Sequence, residues 1–374
     1  MTNKFQHLAA PGVQQLRPYL PGKPVEELER ELGISNSIKL ASNENPLGPS
    51  VKAVIAAQSV INTVNCYPDG SGFKLAEKLA NKHNVTNASI TLGNGSNDVL
   101  ELIARAFLTE QHSAVYSEYA FAVYPIVTQA IGAKSNIARA YTADHSVMPY
   151  GHDLQAIFNA IDKTTRVVFI ANPNNPTGTW LDKDVISDFL DKVSEDVIVV
   201  LDEAYYEYMP DDTKPDSNEL LKKYSNLILT RTFSKMYGLA GLRIGYSVSH
   251  PDVADLLNRV RQPFNANLIA QEAALAALDD SEHIQLSIES NNKGLLQLAK
   301  GFERLGLGYI PSVGNFITVN INCEAGPVYN DLLKEGVIVR PVANYSLPQH
   351  LRITVGTEEQ NTRVLSALTK VLGL

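Results

Sequence analysis

The stretch 226–246, NLILTRTFSKMYGLAGLRIGY, sets a single lysine where it could do chemistry. An apolar run at Leu227, Ile228 and Leu229 turns polar from Thr230 to Ser234, presents Lys235, and continues past Gly238, Gly241 and Gly245 with Arg243 between them. A lysine at the mouth of a buried strand, kept partly from water and near other cations, loses proton affinity and becomes an amine nucleophile toward a carbonyl or aldehyde. Thr232, Ser234 and Arg243 carry the hydroxyl and guanidinium groups that hold a phosphate. A lone lysine before a glycine-rich segment also serves as an ordinary solvated loop residue. No G-x-x-x-x-G-K-[ST] surrounds it, so a nucleotide P-loop is excluded.

The elements that must position this lysine decide between those readings. RVVFI (166–170) runs into ANPNNPTGT with Asn175, VIVVL (197–201) runs into DEAYYEY with Asp202 and Tyr205, and LIL (227–229) runs into the lysine stretch. Continuous apolar runs of this length predict strands buried on both faces. DKDVISDFLDKV (182–193) reads as a helix between two of them, which predicts parallel crossover units. Ligands of such sheets bind outside the carboxyl ends of the strands. Asn175, Asp202, Tyr205 and Lys235 therefore converge on one crevice. GNGSND (93–98) joins a strand at 89–92 to a helix at 98–107, and the free N–H groups of such a turn make an anion site. It lacks the third glycine of a dinucleotide fingerprint. Phe121, after a strand at 113–116, offers either a flat ring or core packing, and Tyr67 sits in a turn, CYPDGSG.

The chain has 374 residues, 44% hydrophobic and 19% charged, enough for two domains. The expected division is an N-terminal arm at 1–29, interrupted by Pro11, Pro18, Pro21 and Pro24, a large domain at 30–260 and a small domain at 261–374. The last is helix-rich from 262 to 289, has a further helix at 300–305, and then carries strands in PSVGNFITVNIN, GVIVRPV and LRITVGT, presenting Arg340 and Arg352. A net charge of −8 argues against a general nucleic-acid or anionic-membrane surface. Cys66 and Cys323 alone make neither a disulfide framework nor a metal site, which favours a cytoplasmic home and no metal. The N-terminal residues lack a signal-peptide core, and no run of about 18 apolar residues occurs.

Taken in order, RPYLPGKP, ASNENPLGPS, YPDGSG, NPNNPTGT, DEAYYEY, the lysine stretch, VRPV and LRITVGT resemble the fold-type I pyridoxal-phosphate-dependent aminotransferases, over essentially the whole chain. The resemblance implies an α/β fold, a three-layer, mostly parallel sheet flanked by helices, with a smaller α+β C-terminal domain. It implies pyridoxal 5'-phosphate as cofactor, bound covalently by Lys235. Asp202 would pair with the ring nitrogen, Asn175 and Tyr205 with the ring oxygen, and Phe121 would stack on the ring. Ser96 and Asn97, with Thr232, Ser234 and Arg243, would hold the phosphate, and Tyr67 would reach it from the other subunit of a homodimer. Tyr19, Arg340 and Arg352 would bind substrate anions. The implied reaction converts L-histidinol phosphate and 2-oxoglutarate to imidazole acetol phosphate and L-glutamate. An aromatic-amino-acid aminotransferase and, in another class, a non-catalytic cofactor-binding regulator are the alternatives.

Overall fold

The computed structural model describes residues 4–18 and 21–374. Its thirteen strands are β1 (Ile38–Lys39), β2 (Ile90–Gly93), β3 (Ser113–Ser117), β4 (Lys134–Ala138), β5 (Thr165–Ala171), β6 (Ile198–Asp202), β7 (Leu227–Thr232), β8 (Gly245–Ser249), β9 (Tyr309–Ile310), β10 (Phe316–Asn320), β11 (Val337–Ile338), β12 (Arg340–Pro341) and β13 (His350–Thr354). Seven form the main sheet in the order β2-β8-β7-β6-β5-β3-β4. All its pairings are parallel except those of β8, which runs against both neighbours.

The apolar runs explain the layers. Alternate side chains of one strand point to opposite faces. Val168, Ile170, Val199, Leu201, Leu227 and Leu229 enter one core with the helices Phe73–His83, Lys183–Leu190 and Leu268–Ala277. Val167, Phe169, Ala171, Val200 and Ile228 enter the other with the helices Ser96–Phe107, Val123–Ile131 and Pro251–Val260. Burying each such side chain contributes about 1.5–3 kcal/mol, so a polar residue at any of these positions would oppose the fold. The sheet is covered on both faces, and its carboxyl edge is left for loops.

A second core holds Leu298, Phe302, Ile317, Val319, Leu351, Ile353, Val364 and Leu368 beneath a four-stranded antiparallel sheet, β12-β13-β10-β9. One helix, Ser281–Arg304, runs unbroken where the sequence suggested two. Its Gly294 and Gly301 explain this: they lie where added Cβ atoms would strike Val355 and Leu365, so bare backbone lets the strand end and the helix Glu358–Leu372 approach closely.

The segments that pack together differ from those marked off at 29/30 and 260/261. The helix Val25–Leu32 spans the first boundary, and its Leu28 packs with Ala41 and Ile338. β1 pairs in parallel with β11, and Leu40 belongs to the second core. The alanine-rich helix Leu268–Ala277, beyond the other boundary, packs in the main-sheet core, where Ala270, Ala273 and Ala274 are fully buried together with Ala53 of the helix Val51–Val60. Alanine's small side chain permits that close approach. The chain therefore crosses between the cores at residues 41–45.

Candidate active site

A cavity of about 660 Å³ opens at the carboxyl edge of the main sheet, between it and β13. That volume suits a small-molecule ligand. Lys235 follows β7, where the chain turns sharply: the Leu239 N–H bonds back to the Phe233 carbonyl, and Phe233 and Met236 anchor the turn in the core. The lysine side chain retains partial access through the cavity, and Nζ donates to the Ser42 carbonyl at 2.8 Å. Desolvation pulls its pKa down to about 7, helped by the cations of Arg352, Arg243 and Lys39 and opposed by Glu44. Near neutral pH a large fraction of this amine is thus uncharged and nucleophilic.

Asp202 ends β6 and is 4% exposed. Tyr124 donates to its Oδ2 and Thr230 to its Oδ1, both at 2.8 Å. Burial raises its pKa, while those two bonds and the Ala204 N–H lower it. A cationic partner in the cavity would favour the carboxylate further. Tyr205 follows in the same turn. Its Oη accepts from Asn43 Nδ2 at 2.9 Å, and burial pushes its pKa up to about 12, so it keeps its proton. Asn175, after β5, accepts at Oδ1 from Arg352 Nη1 at 2.5 Å. Arg352 is buried on β13, and Nη2 donates to the Ala41 carbonyl at 2.6 Å, while its Nε is buried without a partner.

The anion end is built by glycines. Gly95, at φ 86°, precedes the helix Ser96–Phe107, and a Cβ there would run into the Arg243 guanidinium. A Cβ at Gly245 would strike the Ser96 nitrogen. Because β8 runs in reverse, its first residue reaches the ligand edge and backs directly onto the turn. Arg243 Nη1 donates to the Ala240 carbonyl at 3.0 Å and reaches Ser234 Oγ at 3.4 Å. A helix N-terminus with a guanidinium beside it fits a phosphate.

Ser96, Asn97, Phe121, Asn175, Asp202, Tyr205, Thr232, Ser234, Lys235, Arg243 and Arg352 all line this one cavity. Two other candidates lie outside its lining, Tyr67, which was expected to act from another subunit, and Arg340. Tyr67 is 82% exposed and stacks on Phe264 with ring centroids 4.7 Å apart. Arg340 stands opposite Arg352 in the β12–β13 register, half-buried and outside the cavity lining. Tyr19 lies outside the described residues. Sequence reasoning missed Tyr124, Thr230 and Asn43. Asn43 lay in a quoted motif, ASNENP, and its left-handed backbone, φ 55°, suits asparagine. Tyr124 sits three residues beyond Phe121, in the first turn of the helix Val123–Ile131.

Residues 35–368 match the model of the aminotransferase class I and II family, and the chain belongs to that family. Among its relatives, histidinol-phosphate aminotransferase 2 of Pseudomonas fluorescens (strain Pf0-1) is 55% identical over 374 residues, covering 100% of this chain and 99% of that one. The protein of that name from Pseudomonas aeruginosa (strain PAO1) is 55% identical over 370 residues, covering 98% of both. The crystal structure of histidinol-phosphate aminotransferase from Sinorhizobium meliloti in complex with pyridoxal-5'-phosphate superposes with a TM-score of 0.88 at 28% identity, covering 97% of each chain. The fold is that of the fold-type I aminotransferases. No helix among the described residues is long and apolar enough to cross a membrane.

Proposed function

We propose that this chain transfers an amino group from L-histidinol phosphate to 2-oxoglutarate, giving imidazole acetol phosphate and L-glutamate, with pyridoxal 5'-phosphate as cofactor. The observation that carries the chemistry is the meeting in one cavity of the Lys235 amine, the Asp202 carboxylate and the glycine-cleared helix terminus. The choice of donor is supported by the full-length likeness to relatives bearing that enzyme's name.

Lys235 would hold the cofactor. Ser96 and Asn97 at the helix N-terminus, with Thr232, Ser234 and Arg243, would take its phosphate, Asp202 its ring nitrogen, Asn175 and Tyr205 its ring oxygen, and Phe121 its face. When bound, that group supplies an electron sink for the charge left as the substrate's α-proton departs. Asp202, charged and anchored at both oxygens, strengthens that sink electrostatically. Lys235 Nζ, in its neutral form, would take the α-proton and return it elsewhere. Arg352 offers its guanidinium to the carboxylates of glutamate and 2-oxoglutarate, and to the donor's phosphate in the other half-reaction. Arg340, one strand away, and Tyr19 would assist with that phosphate.

An exposed apolar face supports a homodimer. Val51, Ile55, Ile61 and Val64 are all exposed, and so are Tyr67 and Phe264, which stack on each other. In such a dimer Tyr67 would be the residue that reaches the partner's phosphate site, as the family resemblance implies. Both cysteines are free and exposed, which suits a reducing cytoplasm.

The test is kcat/KM for histidinol phosphate, phenylalanine, tyrosine and glutamate on wild type and Arg340→Lys. Histidinol phosphate should be the preferred donor, and the variant should lose more on it than on glutamate. Preference for phenylalanine or tyrosine would reassign the enzyme to the aromatic class, and cofactor binding without turnover of any donor would favour the regulator.

A further inference from the structure

The side chain of Asn43 has only one orientation that fits its neighbours. Its backbone N–H donates to Thr354 Oγ1 at 2.9 Å, so that hydroxyl must spend its own proton elsewhere. Thr354 Oγ1 spends it on Asn43 Oδ1 at 3.2 Å. The amide oxygen is thereby committed, and the amide nitrogen faces Tyr205 Oη at 2.9 Å. A primary amide nitrogen only donates. Tyr205 Oη is the acceptor of that bond, and the phenol's own proton is left to point away from Asn43, while Tyr205 itself lines the cavity. A fourth contact fixes the backbone on the other side: Asn315 Nδ2 donates to the Asn43 carbonyl at 2.9 Å.

We propose that Asn43, held by Thr354, is a positioning residue that orients the Tyr205 hydroxyl as a hydrogen-bond donor into the cavity. This rests on the cofactor reading above. There the proton would be delivered to the ring oxygen of the bound cofactor, and such a bond stabilises the deprotonated ring oxygen and lowers the pH at which the lysine–cofactor linkage loses its proton. The groups that face Tyr205 are Arg352 from β13, Asp202 from the end of β6, Tyr345 from the turn 343–345, Tyr124 from the helix Val123–Ile131, Tyr208 from the turn 206–208 and Lys235, whose Nζ lies 6.0 Å from the ring centroid. Those that face Lys235 are Arg352, Arg243, Lys39 and Glu44. Asn43 carries no charge. Its contribution is the direction of one hydrogen bond, which none of those charges sets.

Asn43→Asp keeps the shape and tolerates the left-handed backbone, but puts an acceptor where the donor stood, so the Tyr205 proton turns back toward residue 43. Asn43→Gly keeps the backbone conformation and removes the side chain without adding a charge. Each variant is purified with pyridoxal 5'-phosphate, and its visible absorbance band is titrated with pH, beside wild type, Tyr205→Phe and the double variant Asn43→Gly/Tyr205→Phe. The band's pKa should rise by about one unit or more in Asn43→Asp and in Tyr205→Phe. It should rise by a smaller step in Asn43→Gly. The double variant should match Tyr205→Phe alone, because Asn43 acts only through that hydroxyl. Unchanged band pKa values in both Asn43 variants, or additive shifts in the double variant, would overturn the assignment. Cofactor dissociation constants from equilibrium dialysis provide a second readout, expected to weaken severalfold in Asn43→Asp. A wild-type protein that shows no visible band at all would instead bring down the cofactor reading itself.

Discussion

The ends of β6 and β7 present two adjacent residue pairs to opposite faces of the sheet, and the two faces are wired differently. On the cavity face Thr230 bonds Asp202, and around them gather the cations of Lys235, Arg243 and Arg352 against the carboxylates of Asp202 and Glu44. On the far face, one residue along each strand, Arg231 meets Glu203 through Nε at 2.7 Å and Nη2 at 2.6 Å. Ser217 donates to the same carboxylate at 2.6 Å, Tyr206 lies under the guanidinium with its centroid at 3.6 Å, and Glu207 stands at 3.6 Å. Arg231 and Glu203 are almost wholly buried. The far face is a closed electrostatic unit whose members satisfy one another, and it pins the turn that delivers Asp202 and Tyr205. The cavity face keeps the guanidiniums of Arg243 and Arg352, which an anionic ligand can use. One pair of strands thus separates holding the structure from doing the chemistry.

Substitution on the two faces should therefore fail in different ways. The largest effect expected is Lys235→Ala on the cavity face, which should cut single-turnover transamination by roughly 10⁴-fold or more while leaving the urea midpoint at or above wild type. A residual rate within tenfold of wild type would remove the lysine from its role. Next comes Arg231→Met, which strands Glu203 in the interior and should lower unfolding free energy by about 3–5 kcal/mol in urea titrations, with the double variant Glu203→Leu/Arg231→Met recovering much of the loss. If Arg231→Met unfolded at the wild-type denaturant concentration, the far face would not be the closed unit described. Asp202→Asn should retain cofactor on dialysis yet lose about 10²–10³-fold in turnover, since a neutral amide cannot stabilise positive charge on the ring nitrogen.

The smallest effect is a matter of pH. Lys235 reacts as the neutral amine, and its pKa is held down to about 7 chiefly by desolvation. The neutral fraction grows as pH rises through that value, so cofactor-free protein should capture pyridoxal 5'-phosphate about fivefold faster at pH 7 than at pH 6, with little further gain above about pH 8. Stopped-flow rates that kept climbing to pH 10 would mean an ordinary, solvated lysine and would erase the electrostatic contrast between the faces.

Much of this was legible in the chain. Apolar runs at 166–170, 197–201 and 227–229 became β5, β6 and β7, because a strand buried on both faces leaves no polar position in its sequence. The residues following each run met at one cavity because parallel strands end on the same edge. What was not legible depended on partners far away in sequence. Nothing around Thr230 or Tyr124 marks them as the anchors of Asp202, since a threonine in a strand and a tyrosine in an apolar helix are both common core residues. The segment 41–45 carries asparagines at 43 and 45, residues that suit an ordinary turn. Its actual role, crossing between two cores while its carbonyls take the Lys235 and Arg352 hydrogens, appears only once residues 235, 315 and 352 surround it. The pairing of β1 with β11 was hidden for a related reason: two-residue strands carry almost no periodicity of their own.

That crossing also sets a timetable for synthesis. The Ala41 carbonyl and the Arg352 guanidinium that bonds it are 311 residues apart. A ribosome adding about 5–20 residues per second needs roughly 15–60 s to make the second partner after the first has emerged. Loops of that length close late, after local helices and the β5–β7 core have formed. The ligand cavity is therefore completed late, and a nascent chain stalled before residue 352 can carry a well-formed sheet, and even its lysine, without the wall that turns a sheet edge into a site.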